Sequence, residues 1–192
     1  MKVTREQAAL NRDRVLDVAG RLFRERGFDG IGVADLMKSA GLTHGGFYGQ
    51  FGSKEELMAE ACSRSFDSAV QTWTQVAANA DANPLASVTR AYLSRRHRDN
   101  PGEGCVMAAL GADATRQGSG LRHAVTEGTR RLLDLFASFA PGRSQAVKRE
   151  RAVVAYASMV GALILARAVD DATLSDEILK TVAKSLHSEL SH

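Results

Sequence analysis

The chain has 192 residues, of which 44% are hydrophobic and 24% are charged, and its formal net charge is +3. This composition excludes a disordered chain, and the length allows one domain or a small domain joined to a larger one. The two cysteines, Cys62 and Cys105, fit neither a disulfide framework nor a metal-ligand spacing, so we expect no metal and no cofactor. The polar N-terminus lacks a signal-peptide pattern, and the apolar stretch 153–166 is too short to span a membrane. We therefore expect a cytoplasmic protein without membrane contact.

Basic residues crowd the first 26 positions of the chain. A basic N-terminal arm that runs into a helix is one electrostatic footprint of a DNA-binding protein. A solvated helix face would show the same charges, so charge alone leaves both interpretations open. The residues concerned are Lys2, Arg5, Arg12, Arg14, Arg21, Arg24 and Arg26.

Hydrophobic periodicity and capping signals predict an all-α chain. Thr4 and Gln7 have capping-box spacing, which predicts that the first helix begins at Thr4, and Gly27 ends it. Ser53 and Glu56 have the same spacing at the start of a longer helix. We predict about nine helices, which span approximately residues 4–27, 33–40, 43–49, 53–78, 83–93, 105–116, 119–140, 145–169 and 175–188.

Further capping signals lie in the second half of the chain. Asn83 followed by Pro84 predicts an N-cap and a first helical residue, and Ser175 is the predicted cap of the last helix. The segment 100–104, which contains Pro and Gly, is predicted to be a loop.

Residues 28–54 have the pattern of a helix-turn-helix. A helix of about two turns is followed by a tight turn at Gly41 and by a second short helix, which in such motifs enters the major groove of DNA. Gly45 and Gly46 would let the backbone approach the DNA closely. Thr43 and His44 stand at the start of the second helix, where side chains can reach base edges. Two further candidates, Tyr48 and Lys54, offer a hydroxyl and a charge suited to phosphate oxygens.

These residues resemble the DNA-binding domain of the TetR family of transcriptional regulators. The resemblance covers residues 12–61 closely, about a quarter of the chain, and the helix count extends it loosely to the rest. The spacing Tyr-x-x-Phe-x-Ser-Lys-x-x-Leu is the most specific part. The matching segments are VLDVA at 15–19, LF at 22–23, GF at 27–28, Leu36, AGL at 40–42 and FYGQFGSKEEL at 47–57.

The resemblance implies an all-α homodimer with an Ω-like outline. It divides the chain into a helix-turn-helix DNA-binding domain, 1–52, and an effector-binding and dimerisation domain, 53–192. It implies a repressor that leaves a palindromic operator when a small-molecule or thiol-reactive effector binds. The effector's identity does not follow from the sequence.

The same resemblance assigns DNA contacts within the motif. Family members often carry Ser or Thr where this chain has Gly32, and Arg where it has Ala34. Backbone amides near Gly32 and Val33 would then replace side chains on phosphate. DNA shape would supply part of the specificity, because the double glycine leaves few side chains to read bases. The residues expected to carry base readout are Thr43, His44, Phe47 and Gln50, and Tyr48 and Lys54 are expected on phosphates. For Phe47 and Tyr48 the alternative is a packing role in the core.

The two C-terminal helices are expected to form the dimer interface. Small and large apolar residues alternate in the helix 145–169, which would let another helix approach closely, and a four-helix bundle with the partner would result. The alternative is that both helices pack only within one subunit. The predicted interface residues are Ala155, Tyr156, Met159, Leu163, Ile178, Val182 and Leu186.

An effector pocket is expected among the middle helices, mostly apolar with few polar anchors. Cys105 stands near a predicted helix N-terminus and follows the basic run 95–98, two features that favour a reactive thiolate. The alternative is a small buried hydrophobic residue. The predicted pocket residues are Phe66, Trp73, Tyr92, Cys105, Met107, Phe136 and Met159, and for each of them the alternative is plain core packing.

Two other functions compete with a ligand-responsive repressor. An enzyme could use Cys105 as nucleophile with His97 or His123 as base, although no motif connects them. A ligand- or protein-binding module could carry a degenerate helix-turn-helix, which the absent side chains at Gly32 and Ala34 would explain. We expect a non-enzymatic regulator that binds double-stranded DNA.

Overall fold

The computed structural model describes residues 4–80 and 83–189. Within these residues the chain forms nine α-helices, two short 3-10 helices and no strand, which confirms the predicted all-α fold. The α-helices are α1 (Arg5–Arg26), α2 (Val33–Ser39), α3 (Lys54–Ala78), α4 (Pro84–Tyr92), α5 (Arg95–Asp99), α6 (Val106–Ala114), α7 (Ser119–Phe139), α8 (Gln145–Ala168) and α9 (Ala172–Glu189), and the 3-10 helices are His44–Gly46 and Pro101–Glu103.

Side-chain caps define several helix starts, as predicted. The Thr4 hydroxyl accepts a hydrogen bond from the amide of Gln7 at 3.1 Å, and the Ser53 hydroxyl accepts one from the amide of Glu56 at 3.0 Å. Asn83 likewise accepts from the amide three residues on, at 3.0 Å, ahead of α4. Each cap satisfies a backbone donor that has no partner inside its helix.

The predicted start of the last helix is wrong. Ser175 lies inside α9, is buried, and donates a hydrogen bond to the Ala166 carbonyl at 2.6 Å. The carboxylate of Asp171 caps the helix instead, since it accepts from the amides of Thr173 at 2.8 Å and Leu174 at 3.1 Å. Both residue types are good caps, and the packing of α9 on α8 decides between them.

The short helix α5 was not predicted. Ser94 caps it by accepting from the amide of His97 at 3.2 Å. Its sequence is almost entirely charged and carries no apolar stripe, so periodicity could not reveal it.

The body of the molecule is built on α3 and α7, which pack along each other. Gly128 permits the close approach, because a Cβ atom at this position would lie 2.2 Å from the ring of Phe66. The pair α8 and α9 covers the other side of α7 and α4.

The N-terminal helix is attached to the body along α3. The Arg64 guanidinium pairs with Asp13 at 2.9 Å and with Asp17 at 2.6 Å, and Arg12 pairs with Glu60 at 2.6 Å. One continuous buried cluster runs from α1 to α9. The division into domains 1–52 and 53–192 remains a prediction.

Candidate functional site

The second helix of the helix-turn-helix is shorter than predicted. In place of a helix over 43–49 the chain forms the 3-10 helix His44–Gly46, followed by turns through residue 50. Thr43 precedes it without making a side-chain cap. Two adjacent glycines, Gly45 and Gly46, each disfavour a helix by about 1 kcal/mol relative to alanine, which accounts for the loss of regular α-helix.

The outer face of this segment exposes few but suitable side chains. Thr43, His44 and Gly45 are exposed, and Tyr48 is 69% exposed. The rings of His44 and Tyr48 meet edge to face with centroids 5.9 Å apart. A Cβ atom at Gly45 would contact nothing within 4 Å, so this stretch of backbone is open to an approaching molecule.

Two of the predicted base-reading residues are turned inward. Phe47 is only 1% exposed and stacks on Phe51 with ring centroids 5.6 Å apart, so it lies in the core, the alternative role that the sequence left open for it. Gln50 is half-buried, and its amide donates to the Gly46 carbonyl at 3.3 Å. Gln50 thus braces the turn itself, and Phe47 joins the buried cluster that contains Leu36 and Met37 of α2.

Lys54 is the first residue of α3 and is half-buried at the edge of the same face. The capping network around it is reciprocal, since the Glu56 carboxylate accepts from the amide of Gly52 at 2.8 Å. Gly32 is the N-cap of α2 and is exposed, and Val33 next to it is half-buried. The face therefore runs from the start of α2 to the start of α3.

The basic N-terminal residues divide into two groups. Arg5, Arg14 and Arg26 are exposed and have no ion pair among the described residues. Arg12 and Arg21 pair with glutamates, Arg24 is drawn into the body, and Lys2 lies outside the described residues. Three of the seven basic residues, Arg12, Arg21 and Arg24, are thus engaged in contacts within the chain.

Most of the residues predicted for the effector pocket are buried in the core, and their role in a pocket stays a prediction. Four of them are fully buried core side chains, because α3, α4, α7 and α8 pack tightly around them: Phe66, Tyr92, Phe136 and Met159. Met107 is half-buried against the same core. Of the predicted set, Trp73 and Cys105 line a cavity elsewhere, beside the connection 94–105.

That cavity has a volume of about 630 Å³ and lies between α1, α3 and the connection 94–105. Its walls are more polar than expected. They include four arginines and a histidine, besides the apolar Leu16, Ala69, Trp73 and Val76.

His97 joins the connection to the start of α6. Its Nδ1 lies 2.8 Å from the Tyr92 carbonyl oxygen, and its Nε2 lies 2.9 Å from the amide nitrogen of Cys105. Because the carbonyl only accepts and the amide only donates, the hydrogen-bond network assigns the neutral ring with its proton on Nδ1. Burial lowers the pKa of His97 from 6.5 to about 4; the hydrogen bond to Tyr92 opposes this shift and the charge of Arg167 adds to it.

The geometry gives the enzyme hypothesis no base. The nitrogen of His97 that would accept a thiol proton already accepts the backbone amide of Cys105. His123, the other candidate, lines a separate surface cavity with Glu60 and Glu127. Neither histidine is placed to activate the Cys105 sulfur.

Cys105 is the N-cap of α6 and is 7% exposed. Its Sγ lies 3.7 Å from the Tyr156 hydroxyl. Burial raises the pKa of both Tyr92 and Tyr156, so both phenols stay protonated beside the sulfur. The Tyr92 hydroxyl is buried and has no hydrogen-bond partner among the described residues.

The charges around the thiol differ from the prediction. Arg95 and Arg98 pair with Asp176 and do not act on the sulfur, because α5 directs them toward α9. The cations that interact electrostatically with Cys105 are Arg24 and Arg167. The other cysteine, Cys62, is buried, and burial raises its pKa to about 12 although Arg24 opposes the shift.

Most of the predicted dimer-interface residues are buried inside one subunit. They lie on the faces of α8 and α9 that pack against each other and against the body, and they are Ala155, Tyr156, Met159, Leu163 and Leu186. Ile178 and Val182 are half-buried. The predicted interface residues of α8 thus lie on its inward face, and the interface itself stays a prediction.

The outward face of α8 is also apolar. Val154 and Ile164 are exposed, and Leu165 is 56% exposed. A Cβ atom at Gly161, on the same helix, would meet nothing within 4 Å. Among the described residues, α8 is the one helix that is long and apolar enough to cross a membrane, judged by length and composition alone. The apolar stretch 153–166 by itself is shorter than this helix. A core helix of a soluble protein passes the same test.

Comparison with known proteins identifies the N-terminal part of the chain. Residues 15–61 match the model of the bacterial regulatory proteins of the tetR family. The HTH-type transcriptional repressor NemR of Escherichia coli is 26% identical over 127 residues, which span 65% of this chain and 64% of that repressor. The HTH-type transcriptional regulator AcrR of Shigella flexneri is 32% identical over 90 residues, 47% of this chain and 41% of AcrR.

Solved structures share the fold over nearly the whole chain. The reduced form of E. coli NemR superposes with a TM-score of 0.76 at 23% identity, covering 93% of this chain and 95% of NemR. AibR, solved with isovaleryl coenzyme A and operator DNA, superposes with a TM-score of 0.62 at 16% identity and covers 92% of this chain and 97% of AibR. Residues 15–61 thus carry the DNA-binding segment of the TetR family of transcriptional regulators, and the rest of the described chain shares the all-α fold of solved regulators of that family.

Proposed function

We propose that this protein is a dimeric transcription repressor that binds operator DNA through the face running from the start of α2 to the start of α3. The observation that carries this proposal is the exposed, lightly built surface around Thr43, His44 and Tyr48, within the segment that matches the family model. AibR, which shares the fold, was solved on operator DNA. A bacterial repressor of this kind would act in the cytoplasm.

The proposed contacts are divided between phosphates and bases. Tyr48 and Lys54 suit phosphate oxygens, because one offers a hydroxyl at the most exposed point of the face and the other a positive charge at its edge. Thr43 and His44 are the candidates for reading bases. With Phe47 buried, DNA shape supplies a larger part of the specificity than side chains do.

The dimer in this proposal forms through the outward face of α8, together with exposed positions of α9 such as Leu174. An exposed apolar stripe with a glycine at its centre is suited to close contact with a second helix. A twofold dimer requires an operator with two related half-sites, hence a palindrome. Replacing Leu165 by Glu should convert the dimer to a monomer in sedimentation analysis, whereas Arg130→Glu on α7 should leave it dimeric.

Release from DNA is proposed to start in the body, through a small molecule or a modification of Cys105. Cys105 stands at the N-terminus of α6. Its backbone amide contacts His97 of the connection 94–105, and its sulfur contacts Tyr156 of α8. NemR, which shares the fold, was solved in a reduced form. An effector acts only if it binds the two conformers with different affinity.

The test is a fluorescence-anisotropy titration against the DNA upstream of the protein's own coding region. Tyr48→Ala and Lys54→Ala should each weaken binding by roughly tenfold, and Lys54→Ala should lower the slope of log affinity against log salt by about 1. The matched control is Lys180→Ala, an exposed lysine on α9. Equal affinity of all variants for operator DNA would contradict the proposed face.

One alternative function is a protein of the same fold that does not bind DNA. A ligand- or protein-binding module with a degenerate head is favoured by the missing cap side chain at Gly32 and by the short 3-10 helix. Selection of random DNA sequences by the purified protein separates the two functions. Enrichment of a palindrome supports the repressor, and failure to enrich any sequence supports the module.

A further inference from the structure

The cavity between α1, α3 and the connection 94–105 contains a cation without a counter-ion. Arg24 points from α1 into this space and is partly buried. Its guanidinium donates to the Gly102 carbonyl at 2.9 Å and to the Ser65 hydroxyl at 2.5 Å, and neither group carries charge. No carboxylate among the described residues forms an ion pair with it. A buried charge in this state is stabilised by any anion that can reach it.

The other arginines of the walls differ in their partners. Arg64 is neutralised by Asp13 and Asp17 on α1, and Arg21 is paired with Glu25 on the same helix at 3.2 Å. Arg96 is exposed at the mouth and has no ion pair within the described part of the chain. The acidic Glu103 is also on the wall, but it is exposed to solvent. Arg24 and Arg96 are therefore the two positive charges available to an incoming anion.

The opposite end of the cavity is aromatic. Trp73 is half-buried, and its ring lies 5.5 Å from that of Tyr92 and 6.0 Å from that of His97. Leu16 and Val76 continue the apolar surface. The volume of about 630 Å³ lies within the range of small-molecule sites.

We propose that this cavity binds a small aromatic carboxylate, with the carboxylate between Arg24 and Arg96 and the ring beside Trp73. A guanidinium can bind a carboxylate through two parallel hydrogen bonds, and a flat ring buries apolar area against an indole without a polar partner. The site lies at the junction of the head and the body, apart from the buried core residues of the middle helices.

The position of Arg24 gives the ligand a route to the DNA-binding head, a step that rests on the proposed function. Arg24 belongs to α1, whereas its present partners Gly102 and Ser65 belong to the body. A carboxylate that recruits Arg24 competes with the Gly102 carbonyl, three residues before Cys105. The attachment of α1 to the body then differs between the free and the bound protein.

Trp73 is the only tryptophan of the chain, so its fluorescence reports on the cavity directly. The protein is titrated without DNA with phenylacetate and 1-naphthylacetate, and with phenylacetamide as the uncharged control. The ligand concentration is raised to about 10 mM, because a dissociation constant above this value would not indicate a specific site. We expect a saturable change with at least one acid and at least about tenfold weaker binding of the amide, the discrimination expected when a charged hydrogen bond is lost.

Variants locate the response. Arg96→Gln removes an exposed side chain without internal partners and should weaken the acid by several-fold, whereas Arg130→Gln, exposed on α7 outside the cavity, should not change it. Arg24→Gln should weaken it further, with circular dichroism to confirm that this variant is folded. No saturable response to either acid, equal binding of acid and amide, or an unchanged affinity in Arg96→Gln would each overturn the proposal.

A separate titration keeps the two proposals distinguishable. If the acid changes the Trp73 fluorescence but does not alter the affinity for operator DNA, the cavity is a binding site but not an effector site. If the protein binds no DNA at all and the fluorescence response persists, the repressor function fails and the site stands.

Discussion

Lowering the pH from 7 to 5 should destabilise this protein through protonation of His97. The neutral ring accepts the amide hydrogen of Cys105 at 2.9 Å and donates to the Tyr92 carbonyl at 2.8 Å. Protonation would place an N–H on Nε2 directly against the amide N–H, and it would introduce a charge beside Arg167. The fold therefore opposes protonation, and the pKa of His97 falls from 6.5 to about 4.

The sign and size follow from linkage. The unfolded chain takes up a proton near pH 6.5 and the folded protein only near 4, so the stability is fully present above 6.5 and is lost as the pH falls toward 4. The whole shift corresponds to about 3 kcal/mol, and the part lost between pH 7 and pH 5 is about 2 kcal/mol.

Urea denaturation at pH 7 and pH 5 tests this prediction, with equal protein concentrations because the proposed dimer would make the stability depend on concentration. His97→Gln keeps an acceptor for the Cys105 amide but does not titrate. The wild-type protein should lose about 2 kcal/mol more than this variant between the two pH values. His123→Gln, at an exposed histidine, should behave like the wild type. Equal losses in wild type and His97→Gln would refute the reasoning.

Three further predictions concern packing, backbone and thiol chemistry. Gly128→Ala should lower the free energy of unfolding by about 1–3 kcal/mol, measured by urea denaturation, because the new methyl would overlap the ring of Phe66. Gly45→Ala should raise the free energy of unfolding by about 0.4–1 kcal/mol, since the position is open and its φ is not positive. The same variant should bind operator DNA more weakly, and an affinity equal to that of the wild type would argue against a close approach of the backbone to DNA at this position. In DNA-release assays with oxidants or maleimides, Cys105→Ser should abolish the response, whereas Cys62→Ser should retain it because burial keeps the Cys62 thiol protonated; a full response in Cys105→Ser would exclude the sensor.

Local features of the sequence predicted most helix boundaries correctly. Thr4, Ser53 and Asn83 form caps at the predicted positions, and Gly27 ends α1 with a φ of +78°. These features depend on a few neighbouring residues, so the physics that produces them is contained in a short window of sequence. The motif at 47–57 also lies within a short window of sequence, which is why the resemblance to the TetR family can be read from it.

Where sequence reasoning failed, competing local options had similar energies or the answer depended on distant residues. Asp171 and Ser175 are both good caps, and only the packing of α9 on α8 selects the first. A double glycine is compatible with a helix or a turn, and the structure forms the 3-10 helix His44–Gly46. In a helix with two apolar faces, periodicity cannot tell which face turns inward, so the residues of α8 that the sequence predicted for an interface are buried within the chain.

The sequence by itself determined the all-α class, most helix starts and the DNA-binding head, because caps, periodicity and the helix-turn-helix spacing are local properties. Only the tertiary structure decided what the side chains far apart in sequence do together. It brought Arg24 of α1 to Gly102, and it placed the His97 ring between Tyr92 and Cys105. It also filled the space of the predicted pocket with core side chains and opened a different cavity beside Trp73. Such contacts depend on the relative placement of whole helices, which packing determines and which no short window of sequence contains.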